Sequence, residues 1–224
     1  LCMLEAKVGE IVAVDLSDSV EVAYQRVRQY PNAHVIQADI FHLPLKPVFD
    51  LAFSIGVVHH TPHPRQAVFS LASRVRPGGQ LLIWVYGYEN NWWIHFFVTP
   101  LRKYIFSKLP NWLTYVISMG LTGLLFPVLR LFYYPLRKRR LGRWLPYGAY
   151  FTHVAPLRFS SLHAIVHDHI TVRTAFYHRR QEVEEWAQSL QLHPYQIRWH
   201  NQNSWTLSGV LPVSPVKLVS LPHG

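Results

Sequence analysis

Three places in the first quarter of the chain pair a reactive or permissive residue with the end of an apolar run. Asp15 closes Ile11–Val14, Asp39 follows His34–Ala38, and Ser54-Ile55-Gly56 closes Phe49–Phe53. A carboxylate at the end of a strand can accept hydrogen bonds from both hydroxyls of a ribose, because it offers two acceptor oxygens. It can equally cap the helix that follows. Asp39 can accept from an adenine amino group or cap a turn, and Gly56 can admit a ligand close to the backbone or simply make a turn.

Histidine supplies the second group of candidates. Of the fourteen in the chain, His59, His60 and His63 cluster after the third apolar run, while His163, His167 and His169 surround Asp168. His163 and His167 stand four apart, which on a helix puts both on one face, as a metal pair requires. No second ligand set with zinc-like spacing accompanies them, so they read as pocket or surface histidines and no metal is expected.

The elements that must position these residues follow from periodicity. Short strands at Ile11–Val14, His34–Ala38, Phe49–Ser54 and Gln80–Tyr86 alternate with helical patterns at Val20–Tyr30 and Arg65–Val75, with Pro77-Gly78-Gly79 read as the stop after the second helix. Ser17-Asp18-Ser19 is a candidate N-cap cluster for the first helix. This alternation predicts an α/β, Rossmann-like doubly wound sheet that is mostly parallel, whose ligand lies at the carboxyl ends of the strands. Near the C-terminus, Gln181–Leu190 reads as a helix, and His193–Trp199 with Ser204–Val210 as a closing antiparallel pair. The expected division is a partial cofactor-binding core at 1–88, an aromatic-rich helical insertion at 89–150, completion of the core at 151–211, and a tail at 212–224.

Taken in order, Asp15-Leu-Ser, Ala38-Asp39-Ile40, Phe49-Asp-Leu-Ala-Phe-Ser54-Ile-Gly-Val-Val-His59-His60-Thr-Pro and Arg76-Pro-Gly-Gly-Gln-Leu81 resemble the class I S-adenosylmethionine-dependent methyltransferases. The likeness is greatest to the small-molecule branch similar to ubiquinone/menaquinone methyltransferases, and it covers roughly residues 8–88. Phe176–Trp186 resembles the element that precedes the last helix of that branch. The resemblance implies S-adenosyl-L-methionine as cofactor, with Asp15 and Leu16 at the ribose, Asp39 and Ile40 at the adenine, and Ser54, Ile55 and Gly56 beside the methionine part. It also implies that His59 and His60 border the acceptor. The family's Gly-x-Gly-x-Gly loop belongs about 20 residues before the acid matching Asp15. Only fourteen residues precede Asp15 here, and the sole glycine among them is Gly9. The chain is therefore expected to be N-terminally truncated and to bind cofactor weakly by itself.

Methyl transfer to a hydroxyl benefits from a base, and imidazole titrates near neutrality. His60 is the first candidate by its place at the cofactor edge, followed by His59, Asp168 and His178. Each can equally line a pocket, and alignment without a base also drives methyl transfer.

The insertion is dense in aromatics, including Trp92, Trp93, Phe96, Phe97, Trp112 and Phe132, and Trp112–Leu129 holds no charged residue. It reads as a buried cap over the site or as a membrane-contacting lid with basic flanks. Gly120, Gly123 and Pro127 count against a full span, which needs about 20 apolar residues. Both leading alternatives imply a small or lipid-like acceptor. The net charge of +10 favours anionic partners such as a membrane surface. Nucleic acid is expected to be an improbable partner, because much of the excess sits in one run, Arg137–Arg143, rather than over a face. One cysteine, Cys2, and no apolar run in the first ten residues point to a cytoplasmic setting, with a peripheral place at the inner membrane face as the variant. A non-catalytic interaction module with the same fold, or a membrane-associated protein acting through residues 92–140, are the alternatives to an enzyme.

Overall fold

The computed structural model describes residues 9–91, 94–137, 145, 147–172 and 174–213. Cys2, Trp92, Trp93, the basic residues Lys138, Arg139, Arg140 and Arg143, and most of the expected tail lie outside the described residues. In chain order come β1 (Ile11–Asp15), α1 (Ser19–Val27), β2 (Ala33–Gln37), β3 (Phe49–Ile55), α2 (Pro64–Ala72) and β4 (Val75–Tyr86). The helical insertion follows with α3 (Thr99–Tyr104), α4 (Asn111–Val128) and α5 (Gly148–Val154). The chain then runs through α6 (Phe159–Thr171), α7 (Arg180–Ser189), β5 (Tyr195–His200) and β6 (Ser204–Val210).

The architecture is α/β with parallel and antiparallel pairing. β1 pairs with β2 in parallel, and β3 with β4 in parallel, while β4–β6 and β6–β5 are antiparallel. The strands form a two-stranded sheet, β1-β2, and a four-stranded sheet, β3-β4-β6-β5. Among the described residues, no strand pairs with the second edge of β1 or of β3.

The structure corrects two local readings. Pro77-Gly78-Gly79 does not stop a helix: α2 has ended at Ala72, and β4 runs through all three residues. The register against β3 shifts between Phe49 and Leu51, so the extra residues are absorbed as a bulge. Gly78 takes a φ of +75°, open to glycine at little cost. At the start of α1, Asp18 makes no side-chain cap; the amide of Ser19 donates to Ser17 Oγ at 3.3 Å instead.

One face of the four-stranded sheet is the core. Leu81, Ile83 and Val85 of β4 and Leu207 of β6 pack with Val68 and Ala72 of α2, Val183 and Trp186 of α7, and Leu190 just past its end. Burying each such aliphatic side chain contributes about 1.5–3 kcal/mol. Strand alternation sends Trp84 and Tyr86 to the opposite face, where the insertion closes over them. A second cluster, with Leu129, Val154, Ala155 and Leu162 at its centre, ties the insertion to α6.

Candidate functional site

Asp15 ends β1, and its Oδ1 accepts from the amide (2.8 Å) and the hydroxyl (2.7 Å) of Ser17. These bonds, the hydroxyl first, hold its carboxyl below the ordinary aspartate range. Its carbonyl accepts from the Ala38 amide at 3.0 Å, drawing together the carboxyl ends of β1 and β2. Asp39 follows β2 in an extended conformation; Oδ1 accepts from the Phe41 amide at 3.0 Å and Oδ2 lies 3.2 Å from His42 Nδ1. The amide bond, then His42, lowers its pKa as well. Leu16 is exposed, whereas Ile40 is half-buried against the core.

At the end of β3, Ser54 is buried and its hydroxyl has no hydrogen-bond partner. Ile55 is exposed. Gly56 takes a φ of +80°, so the turn requires glycine or strain, and its amide meets the Trp84 carbonyl at 3.4 Å. The turn is thereby fixed to Trp84, which lines the main cleft.

That cleft, of about 470 Å³, lies between the sheet and the insertion. Trp84 and Tyr86 come from β4, Tyr150 and His153 from α5, Asp168 and His169 from α6, and Tyr177 from the segment before α7. Tyr86 and Tyr177 stack with centroids 5.4 Å apart. Burial, followed by the charge of Asp168, pushes the Tyr86 hydroxyl far above its ordinary value. Burial also raises Tyr177, against the opposing pull of buried Arg102. Tyr86 and Tyr177 belong to stretches singled out in the sequence, but neither they nor Arg102 stood out as site residues. Only its place at the end of the run Gln80–Tyr86 pointed at Tyr86, and no local pattern pointed at the other two.

The four candidate bases separate in depth. His60 is half-buried, borders the Tyr86 ring at 5.7 Å, and its Nδ1 lies 2.7 Å from the Thr174 carbonyl. A carbonyl only accepts, so Nδ1 carries the proton, and in the neutral ring Nε2 keeps its lone pair. His59 is fully buried with neither ring nitrogen hydrogen-bonded, and desolvation, then neighbouring His60 and His178, pushes its pKa down to about 3. His178 is buried behind the end of β4, with Nδ1 2.8 Å from Glu182 Oε2; burial lowers its pKa and Glu182 partly offsets this. Asp168 alone of the four lines the cleft.

His163 and His167 do share one helix face, but both turn to Ser118 Oγ, at 2.8 and 3.1 Å. Among the described residues no group of three or more His, Cys, Asp or Glu side chains is disposed to hold a metal.

Residues 1–83 match the family described as "Methyltransferase domain". Among curated proteins, the chain is similar to tRNA U34 carboxymethyltransferases. That of Pseudoalteromonas atlantica is 30% identical over 84 residues, covering 36% of this chain and 26% of that protein. That of Cellvibrio japonicus is 33% identical over 86 residues, covering 36% and 27%. The chain thus spans about a quarter of the length of the curated relatives it matches. A solved structure described as "Conversion of a Disulfide Bond into a Thioacetal Group during Echinomycin Biosynthesis" shares the fold at a TM-score of 0.50 and 10% identity, covering 96% of this chain and 71% of that one. These relatives overturn the expectation that nucleic acid is an improbable partner, since their name specifies a tRNA nucleotide. That expectation rested on charge clustering, which ignores how a cleft reads a base. Neither relative carries the name of a ubiquinone or menaquinone methyltransferase. Residues 1–83 are thus similar to a methyltransferase domain, in line with the resemblance to the class I S-adenosylmethionine-dependent methyltransferases.

Proposed function

We propose that this chain carries the ribose, adenine and acceptor sides of an S-adenosylmethionine-dependent methyltransferase site, and that its acceptor is RNA. The observation that carries the cofactor reading is the placement of Asp15 and Asp39 at the carboxyl ends of two adjacent parallel strands, inside the matched domain. The residues present fit this cofactor: Gly56 opens the backbone at the end of β3, and the buried Ser54 hydroxyl beside it lacks a partner. Asp15 with Leu16 would hold the ribose, Asp39 with Ile40 the adenine, and Ser54, Ile55 and Gly56 the methionine side. When bound, the cofactor supplies a methyl group on a sulfonium centre.

The protein's own part is to align the acceptor and take its proton. His60, which borders the Tyr86 ring beside the cleft, is the candidate to receive that proton at Nε2, since the Thr174 carbonyl holds Nδ1–H. His59 is too deeply buried and too weakly basic for the role, and His178 with Glu182 backs the wall. Asp168 and the stacked Tyr86 and Tyr177 orient a flat ring in the cleft. The relatives' name supports RNA as the source of that ring. A cytoplasmic setting is compatible with the fold, and a peripheral place at the inner membrane face is a separate reading from the transfer chemistry.

The test is transfer of a radiolabelled methyl group into bulk tRNA by the protein that carries this chain, with S-adenosylhomocysteine affinity measured alongside. Asp15→Ala is expected to weaken that affinity at least about tenfold, as loss of a charged hydrogen-bond acceptor does. No affinity in either form would overturn the cofactor reading. Affinity with label entering only non-RNA acceptors would overturn the RNA reading.

A further inference from the structure

Helix α4 is built inside out over residues 111–122; beyond that, Leu125 and Phe126 are half-buried against the second cluster. Its buried positions, Thr114, Ser118 and Thr122, are hydroxyls spaced four apart. They satisfy themselves on the carbonyls of Asn111, Tyr115 and Ser118, and Ser118 also meets His163 and His167 of α6. The outward positions are apolar: Trp112, Val116, Leu124 and Val128 are exposed, and Leu131 and Phe132 continue the stripe. Leu124 is 73% exposed and Leu131 70%. A surface helix in water shows the reverse pattern. Phe96, Phe97, Leu101 and Tyr104, ahead of α4, are exposed as well, so the patch is broad.

The net charge of the molecule belongs to the same stretch of chain. Residues 90–167 contain ten Lys and Arg and no Asp or Glu, while the rest of the chain has twelve of each sign; the whole net charge of +10 therefore belongs to this stretch. Lys103, Lys108 and Arg137 are exposed within it. This combination selects the occupant. A second copy would bring a second stretch of +10 toward the first. RNA would satisfy the cations and leave leucine and valine side chains in water. An anionic bilayer takes the apolar stripe below its headgroups and the cations among them.

We infer that the insertion, led by the outer face of α4, is a docking surface for an anionic lipid bilayer, with α4 lying in the membrane plane. The stretch Asn111–Tyr133 is long and apolar enough to cross, with a mean hydropathy of 1.7. Crossing would nevertheless pull α6, bonded to its inner stripe, and with it His163, His167 and Asp168, into hydrocarbon. In-plane docking leaves that interface intact.

Flotation with vesicles tests the inference, and it needs no cofactor or acceptor, so its failure would leave the transfer reading untouched. The protein is expected to float with phosphatidylcholine vesicles containing phosphatidylglycerol and to do so less in high salt. The double variant Leu124→Glu, Leu131→Glu should lose at least about tenfold in binding, since two outward leucines no longer enter the bilayer. Lys103→Gln with Lys108→Gln should cost roughly tenfold on anionic vesicles. An unchanged melting temperature in each variant would establish that the fold persists. Absence of flotation on anionic vesicles overturns the inference. So does a wild-type dimer in light scattering that the leucine variant converts to a monomer, or tRNA affinity lost in the leucine variant while flotation stays normal.

Discussion

Asp15 is preorganised by its own turn. Both Ser17 donors bind Oδ1, so the carboxylate is oriented and ionised before any ligand arrives. Ser17→Ala removes the hydroxyl donor but leaves the amide, and S-adenosylhomocysteine affinity is expected to fall only a few-fold, by about 1 kcal/mol or less. Calorimetry distinguishes this from the larger loss expected for Asp15→Ala. His60 invites the sharper test. If Nε2 accepts the acceptor's proton, His60→Gln keeps a donor for the Thr174 carbonyl but has no base, and kcat should drop roughly a hundredfold with KM little changed. A turnover within a few-fold of wild type would leave alignment alone as the source of rate.

At the scale of elements, β4 shows what alternation can and cannot disclose. Its strand character over Gln80–Tyr86 follows from the sequence, as does the antiparallel pair of His193–Trp199 with Ser204–Val210. The buried face of Leu81, Ile83 and Val85 and the pairing of Ser204–Val210 with β4 come only from the fold. Nor does the run through Pro77-Gly78-Gly79 follow from the sequence, because those residues usually end elements and only the pairing with β3 reveals a bulge. Gly79 sits so tightly there that a Cβ would lie 2.5 Å from Val75 Cγ1 and 3.0 Å from the Asp50 carbonyl oxygen. Gly79→Ala is therefore expected to destabilise the fold by about 1–3 kcal/mol in chemical denaturation. The strand-end residues Asp15, Asp39 and Gly56 were legible because strand ends are local events. The cleft was not, because Tyr86, Tyr177 and Arg102 meet only when three distant segments pack together. The inverted face of α4 was hidden for a related reason: an aromatic-rich apolar helix reads as buried or lipid-facing alike until its neighbours are known.

For the whole molecule, His59 sets a pH limit on folding. Its folded pKa of about 3 lies below its unfolded value of 6.5. Between those values the unfolded chain binds the proton and the folded one does not, so stability rises with pH. The contribution is complete above about pH 6.5 and declines as pH falls toward 3, at up to about 1.4 kcal/mol per pH unit. His178, also shifted down, acts in the same direction. Thermal melts should therefore show a falling midpoint on acidification from neutrality, and His59→Phe should flatten that fall. An equal acid sensitivity in the variant would place the titration elsewhere.

The inverted helix also carries a consequence for how this protein can drift in evolution. On most surface helices the outward positions accept nearly any polar residue and the inward ones hold fixed apolar volumes. On α4 the selection runs the other way. Thr114, Ser118 and Thr122 are confined to small side chains by the closeness of α6, while Leu124 and Val128 are free to exchange among apolar types and closed to acids. A saturation-mutagenesis profile across Asn111–Val128 would therefore show its strictest size limits at hydroxyl residues and its widest hydrophobic tolerance on the side facing out.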